Sequence, residues 1–217
     1  MFVAATCLLY SCSGAKEKQP GLMQAPAPNI QSSTADDLWN KHVVDTAVSL
    51  LKNGDIVLRT GIGPDSYLLC QMNQKDKTYS HCGIVMIENG YPYVYHSIGG
   101  EDNPDERLRR DSASFFFSPL HNVGLGIVRY DISDAQADQL GKVVREYFAQ
   151  RPRFDMKFDL NTDDQLYCSE FVYKAICRAT ADTGFISKSY HLRKPYIGID
   201  DLYGNSHATF IWKMRYK

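Results

Sequence analysis

Residues 79–96 read YSHCGIVMIENGYPYVYH. Asn89-Gly90 is the strongest short signal for a hairpin, because both central positions of a two-residue type I′ turn need positive φ. The flanking stretches, Cys82–Ile87 and Tyr91–Ser97, read as its strands. A two-residue turn sets Glu88 opposite Tyr91, and facing residue numbers then sum to 179. His96 lies opposite Gly83, and His81 opposite Ile98. Side chains alternate along a strand, so His81, Gly83 and Val85 share one face with Val94, His96 and Ile98. The two histidines are therefore diagonal neighbours, roughly 6–8 Å apart at Cβ. Gly83 beneath them leaves space for the rings or for a ligand.

Outward from the hairpin, the chain alternates helix and strand signals without a regular βαβ order. Thr34 can cap a helix that carries Asp36 and Asp37 in its first turn and Trp39, Val43, Ala47 and Leu50 on one face, with Asn53-Gly54 ending it. Asp55–Arg59 reads as a short strand, Pro64–Met72 as a short helix and Gly124–Tyr130 as another strand. Ser133 caps a helix with Leu140, Val143, Val144, Tyr147 and Phe148 on its apolar face. Cys168–Thr180 is helical, with Val172, Ala175, Ile176 and Ala179 aligned, and Ala208–Tyr216 alternates like a closing strand. Strands clustered between helices argue an α+β class, with a central antiparallel sheet packed with helices.

A pair of close imidazoles can serve as base and orienting partner, one ring fixing the tautomer of the other. Taken alone, two histidines on a sheet face are more often structural. His42, His121, His191 and His207 lack the spacing that would complete a metal site. The missing nucleophile has a candidate in Leu166-Tyr167-Cys168-Ser169-Glu170-Phe171. There a polar loop runs into a helix, with Cys168 at or near its N-terminus. The helix dipole favours a thiolate at that end, and free backbone N–H groups can hold an oxyanion. The bland alternative is a small buried hydrophobe, which suits Cys177 in mid-helix.

With His81, His96 and Cys168 assembled, the chain resembles the YiiX/YaeF-like permuted papain-fold amidases. These are relatives of NlpC-type cell-wall peptidases and of lecithin–retinol acyltransferase-like proteins. The stretches that carry the resemblance are Asn53–Arg59 (NGDIVLR), Tyr79–Val85 (YSHCGIV), Val94-Tyr95-His96 and Tyr167–Tyr173 (YCSEFVY). It spans roughly residues 54–179 and says less about the last forty. It implies a circularly permuted papain-like fold, in which the His-bearing strand precedes the Cys-bearing helix. It also implies Cys168 as nucleophile, His81 as base and a polar residue on the next strand as orienting group. His96 holds that third place, as in the acyltransferase-like branch. The implied chemistry is attack on an amide or ester carbonyl through an acyl-thioester, with no metal or organic cofactor. Tyr167, Arg59, Gly83 and Ser169 are expected along the substrate cleft, and Cys82, on the opposite face from His81, in the core.

The chain has 217 residues, enough for one ordinary domain, and its net charge of −1 gives no electrostatic case for nucleic acid. Arg107, Arg109 and Arg110 are surrounded by Glu101, Asp102, Asp105, Glu106 and Asp111, which reads as a solvated loop. The six cysteines fit no zinc spacing, and a disulfide among Cys70, Cys82 and Cys177 stays open. Residues 1–12 are small and apolar and end in Leu9-Tyr10-Ser11-Cys12, which resembles a bacterial lipobox with Cys12 as the lipidated residue. Residues 13–33, rich in Pro, Ala, Gln and Ser, read as a disordered tether. Residues 34–217 are expected to form the permuted papain-like catalytic domain.

The expected protein is thus a bacterial cell-envelope lipoprotein, held at the membrane by its N-terminal lipid. Its expected activity is that of a cysteine amidase or peptidase on a peptide, a peptidoglycan fragment or another acyl-amide. The alternatives are a lipid-directed thiol acyltransferase or phospholipase, and a non-catalytic envelope binding module.

Overall fold

A computed structural model describes residues 34–100, 103 and 105–217; the expected signal segment, Cys12 and the expected tether fall outside the described residues. Elements follow in the order α1 (Ala35–Leu50), β1 (Ile56–Gly61), α2 (Pro64–Met72), β2 (His81–Glu88), β3 (Tyr91–His96), β4 (Arg109–Ser112), α3 (Ala113–Phe116) and β5 (Asn122–Tyr130). After these come α4 (Asp134–Gln150), α5 (Cys168–Thr180), β6 (Ser189–His191), β7 (Lys194–Tyr196), α6 (Ile199–Tyr203) and β8 (Ala208–Arg215). The main sheet runs β4-β3-β2-β1-β5-β8, antiparallel throughout, and β6 and β7 form a separate hairpin. The architecture is α+β, as the element order suggests. Among the described residues no helix is long and apolar enough to cross a membrane.

Strand alternation divides the core in two. Ile56, Leu58, Cys82, Ile84, Met86 and Val128 pack with α4 and α5 on one side of the sheet. Val57, Val85, Val94, Leu125 and Ile127 pack with α1 and α3 on the other. Both long N-caps hold: Thr34 and Ser133 each accept the N–H three residues on. Helix α1 ends at Leu50, before the Asn53-Gly54 expected to stop it, and its buried stripe is Asn40, Val43, Val44 and Ala47. Trp39 and Leu50 sit at its edge, more than a third exposed.

Asn53-Gly54-Asp55 instead pins three strands. The Asn53 side chain accepts the Ile87 N–H, and Gly54 turns at φ +81°. Asp55, fully buried, takes both prongs of Arg129 at 2.7 and 2.8 Å. A bidentate guanidinium supplies the hydrogen bonds that a buried carboxylate needs.

The mixed-charge run is not a solvated loop. Arg109–Ser112 pairs with β3 in the register His96↔Arg109 and Val94↔Asp111, closing one edge of the sheet. A charged strand suits an edge, where unpaired backbone would otherwise recruit another chain.

Candidate active site

The hairpin register is as the turn dictates, with Glu88↔Tyr91 and Ile84↔Tyr95 paired. Asn89 and Gly90 carry φ of 51° and 83°, both left-handed. His81 and His96 consequently meet on one face, with ring centroids 5.0 Å apart. His81 Nε2 and His96 Nδ1 are 2.8 Å apart, a direct hydrogen bond. Phe116 of α3 packs against both rings.

The far nitrogen of His96 is also engaged, since Nε2 lies 3.0 Å from Asp111 Oδ2. Arg109 Nη2 holds the other Asp111 oxygen at 3.0 Å. Although burial raises the Asp111 pKa, its contacts with His96 and Arg109 win and hold the carboxyl below the usual range. An ionised carboxylate only accepts, so His96 carries its proton on Nε2 and accepts at Nδ1. His81 must then donate from Nε2, which leaves Nδ1 as its bare acceptor. Burial keeps both rings neutral. It is the largest cause of depression at each, with the Arg59 charge adding to it.

Cys168 opens α5, with Tyr167 in extended conformation before it. The buried Glu170 side chain accepts the Tyr167 N–H at 3.1 Å, which fixes the helix start. In the hairpin register, Glu88, Met86, Ile84 and Cys82 turn their N–H groups toward β3. The partner of Cys82 would be residue 97. Ser97 instead leaves the sheet and donates its hydroxyl to the Leu166 carbonyl at 2.5 Å. The freed Cys82 N–H points at the Cys168 sulfur. The sulfur thus meets the peptide unit that joins His81 to Cys82.

The Cys168 pKa is lowered, first by the Cys82 thiol, against burial, and then by the Ser169 and Cys82 N–H groups and the Ser169 hydroxyl. Burial first, and then the Cys168 sulfur, push the Cys82 thiol well above its ordinary value, so it stays protonated and donates. A helix N-terminus, two N–H groups and a neighbouring S–H all favour a thiolate here.

Cys82 is therefore buried on the opposite face from His81, as alternation requires, but it is also a neighbour of Cys168. A cavity of about 20 Å³ adjoins the thiol, between Leu69 and Met72 of α2, Phe158 and Ile197. Its walls include Tyr167 and Ser169. Both hydroxyls also touch the backbone of Ile197: Tyr167 accepts its N–H at 2.9 Å, and the Ser169 hydroxyl lies 2.8 Å from its carbonyl, which competes with Cys168 for the one Ser169 proton. Arg59 stands opposite His81 in the β1–β2 register, with its guanidinium 4.8 Å over the Phe116 ring. Gly83 is not part of a cleft. A Cβ there would meet Val94 Cγ1 at 2.5 Å and the Tyr95 carbonyl at 2.8 Å, so its space is taken by the sheet and by His96. Asp111 and Phe116 were not legible as site residues. Cys70, Cys82, Cys168 and Cys177 are all free thiols.

No family model matches the chain, and no curated protein matches it. The fold is similar to the crystal structure of metalloprotein YiiX from Escherichia coli O157:H7, with a TM-score of 0.62 at 18% identity. The match covers 76% of this chain and 98% of that one. The word metalloprotein describes that molecule. Here each histidine spends a nitrogen on the other, and among the described residues no three His, Cys, Asp or Glu side chains converge as a ligand set. The described residues do not fit a metal.

Proposed function

We propose that this chain is a cysteine hydrolase that cleaves an amide bond through an acyl-thioester on Cys168, on a permuted papain-like fold. The observation that carries the reading is the directed relay Asp111–His96–His81. It leaves His81 Nδ1 as an acceptor beside the peptide unit whose N–H meets the Cys168 sulfur. A low-pKa thiol and a base of fixed tautomer are the two groups that nucleophilic acyl transfer uses. Here they flank one peptide unit, with the sulfur at the Cys82 N–H and the imidazole packed on Phe116 on the other face of β2.

In this reading His81 Nδ1 takes the Cys168 thiol proton as the sulfur attacks the carbonyl carbon, and backbone N–H groups at the start of α5 receive the oxyanion. His81, protonated at Nδ1, passes that proton to the leaving amine, and the C–N bond breaks. Neutral His81 then takes a proton from water, whose oxygen attacks the thioester. The carboxylic acid leaves and Cys168 is regenerated. His96 and Asp111 position the base. The substrate is a peptide, peptidoglycan fragment or other acyl-amide of the cell envelope, where lipid on Cys12 would hold the enzyme. The lipid-directed alternative draws on His96 in the third position. It needs a long apolar pocket at the thiol, whereas the adjoining cavity measures about 20 Å³.

The test is iodoacetamide labelling of the whole chain against pH, with each cysteine mapped by mass spectrometry. Cys168 is expected to label rapidly at about pH 6, well below the free-thiol pKa of about 8.5, and to slow in His81→Ala. Labelling only near pH 8.5, unchanged by His81→Ala, would overturn the catalytic reading in favour of a binding module.

A further inference from the structure

A second opening lies on the far side of α2 from Cys168. It is a groove of about 640 Å³, within the range of small-ligand sites. Gly61 of β1 and Gly124 of β5 help form it, and Tyr67 of α2, two-thirds exposed, stands at its wall. Lys77, Lys213 and Arg215 complete the lining, which includes no carboxylate. Among the described residues none of these three cations forms an ion pair. Lys77 donates to Gln71 at 3.0 Å, and Lys213 lies 5.1 Å over the Phe210 ring. The Lys213 charge is felt by Asp76, but that carboxylate is turned onto the N–H and hydroxyl of Thr78. In a chain of net charge −1, three cations around one groove are a local excess that favours an anion.

The groove and the thiol cavity are separate openings whose linings are joined through the same strands and helix. Thr60 and Gly61 continue β1 directly from Arg59, and Thr78 and Tyr79 lead through Ser80 to His81. The Gly61 N–H donates to Ser80 Oγ at 2.9 Å, and Ser80 lines the cavity at Cys168. Helix α2 is the shared wall, with Tyr67, Cys70 and Gln71 toward the groove and Leu69 and Met72 toward the cavity.

We propose that this groove binds an anionic part of the substrate, carrying a carboxylate or a phosphate, and leads the scissile bond toward Cys168. The assignment rests on the catalytic reading above for its role, but anion binding can be measured without turnover. The experiment titrates the full chain bearing Cys168→Ser, followed by NMR, with two probes. One is the acidic dipeptide N-acetyl-Glu-Glu-amide, with its Gln-Gln counterpart as neutral control. The other is glycerol 3-phosphate.

The expected result is saturable binding of one anionic probe and not of the neutral control. Binding should weaken at least tenfold in Lys213→Glu/Arg215→Glu and fall steeply with added salt. Both substituted side chains are exposed, so the variant is expected to fold; Lys77→Glu provides an independent second variant. Carboxylate and phosphate sources are separated by which probe binds. Binding of neither probe, or binding indifferent to these substitutions, overturns the inference. Anion binding by a chain whose Cys168 is unreactive would leave the groove standing and remove only its catalytic role.

Discussion

His96 Nε2 lies 3.0 Å from Asp111 Oδ2, and the contact crosses from β3 to β4 with the carboxylate held in turn by Arg109. This bond gives the imidazole pair a direction. Asparagine at 111 can present either an oxygen or an NH₂ group to His96, so the direction is lost. A hydrogen bond to a charged group contributes about 1.5–3 kcal/mol, so Asp111→Asn should slow Cys168 alkylation at pH 6 by roughly ten- to hundredfold. Asp111→Glu should recover part of the rate. An unchanged rate in Asp111→Asn would reduce Asp111 to a strand-pairing role.

Cys82 is the largest single cause of the lowered Cys168 pKa. Cys82→Ala deletes the donated S–H but keeps the backbone N–H. The pH midpoint of Cys168 alkylation should therefore rise in Cys82→Ala, while Cys82→Ser, which retains a donor, should shift it less. Coincident titration curves for wild type and Cys82→Ala would show that the helix terminus alone sets the thiol.

The histidine pair was legible because a two-residue turn fixes register, and register fixes face. That logic needs only local sequence. Asp111 was hidden for the opposite reason. Its strand is polar throughout, and what makes it a strand is non-local pairing to β3 with Tyr93–His96. The contact between Cys82 and Cys168 was hidden too, because alternation says which face Cys82 takes but not which helix presses there. The β6–β7 hairpin and α6 are short, and the walls they lend to the Cys168 cavity carry no periodic signal.

Gly83 tests how tightly the histidines are seated. An added methyl would approach Val94 Cγ1 to 2.5 Å, the Tyr95 carbonyl to 2.8 Å and His96 Cβ to 3.0 Å. Backbone cannot yield as a flexible side chain can. Gly83→Ala should cost about 1–3 kcal/mol in chemical denaturation, typical of overpacking, and should also slow Cys168 alkylation by displacing His96. Full stability together with full reactivity would mean that β2 and β3 part without disturbing the pair.

Glu170 gives a pH signature separate from the histidines. Burial lifts its pKa from an ordinary 4.5 to about 7, even though Lys174 lies 3.0 Å away. Between those values the folded state holds a proton that the unfolded state has lost, so this group's contribution to stability falls as pH rises from 4.5 to 7. His81 and His96 act oppositely: their folded pKa values lie below 6.5, so stability is lost as pH falls below 6.5. Glu170→Gln keeps an acceptor for the Tyr167 N–H and removes only the first effect. The melting-temperature difference, variant minus wild type, should grow from pH 4.5 to 7 and then level off. A flat difference would mean that Glu170 titrates alike in the folded and unfolded chains, with no lift from burial.

Access to Cys168 should be limited by α2. Cys168 is 7% exposed, and the cavity at its thiol, of about 20 Å³, has room for little more than one water. Leu69 and Met72 form the α2 side of that cavity. The helix is lightly anchored, with Cys70 as its buried residue and a glycine at φ +119° before it. Leu69→Ala enlarges the opening without touching any group that sets the thiol pKa. Cys168 alkylation should then speed up several-fold with an unmoved pH midpoint, because access and ionisation are separate factors in the observed rate. A shifted midpoint would show that Leu69 tunes the thiolate itself. An unchanged rate would place the gate elsewhere, on the Ile197 side of the cavity.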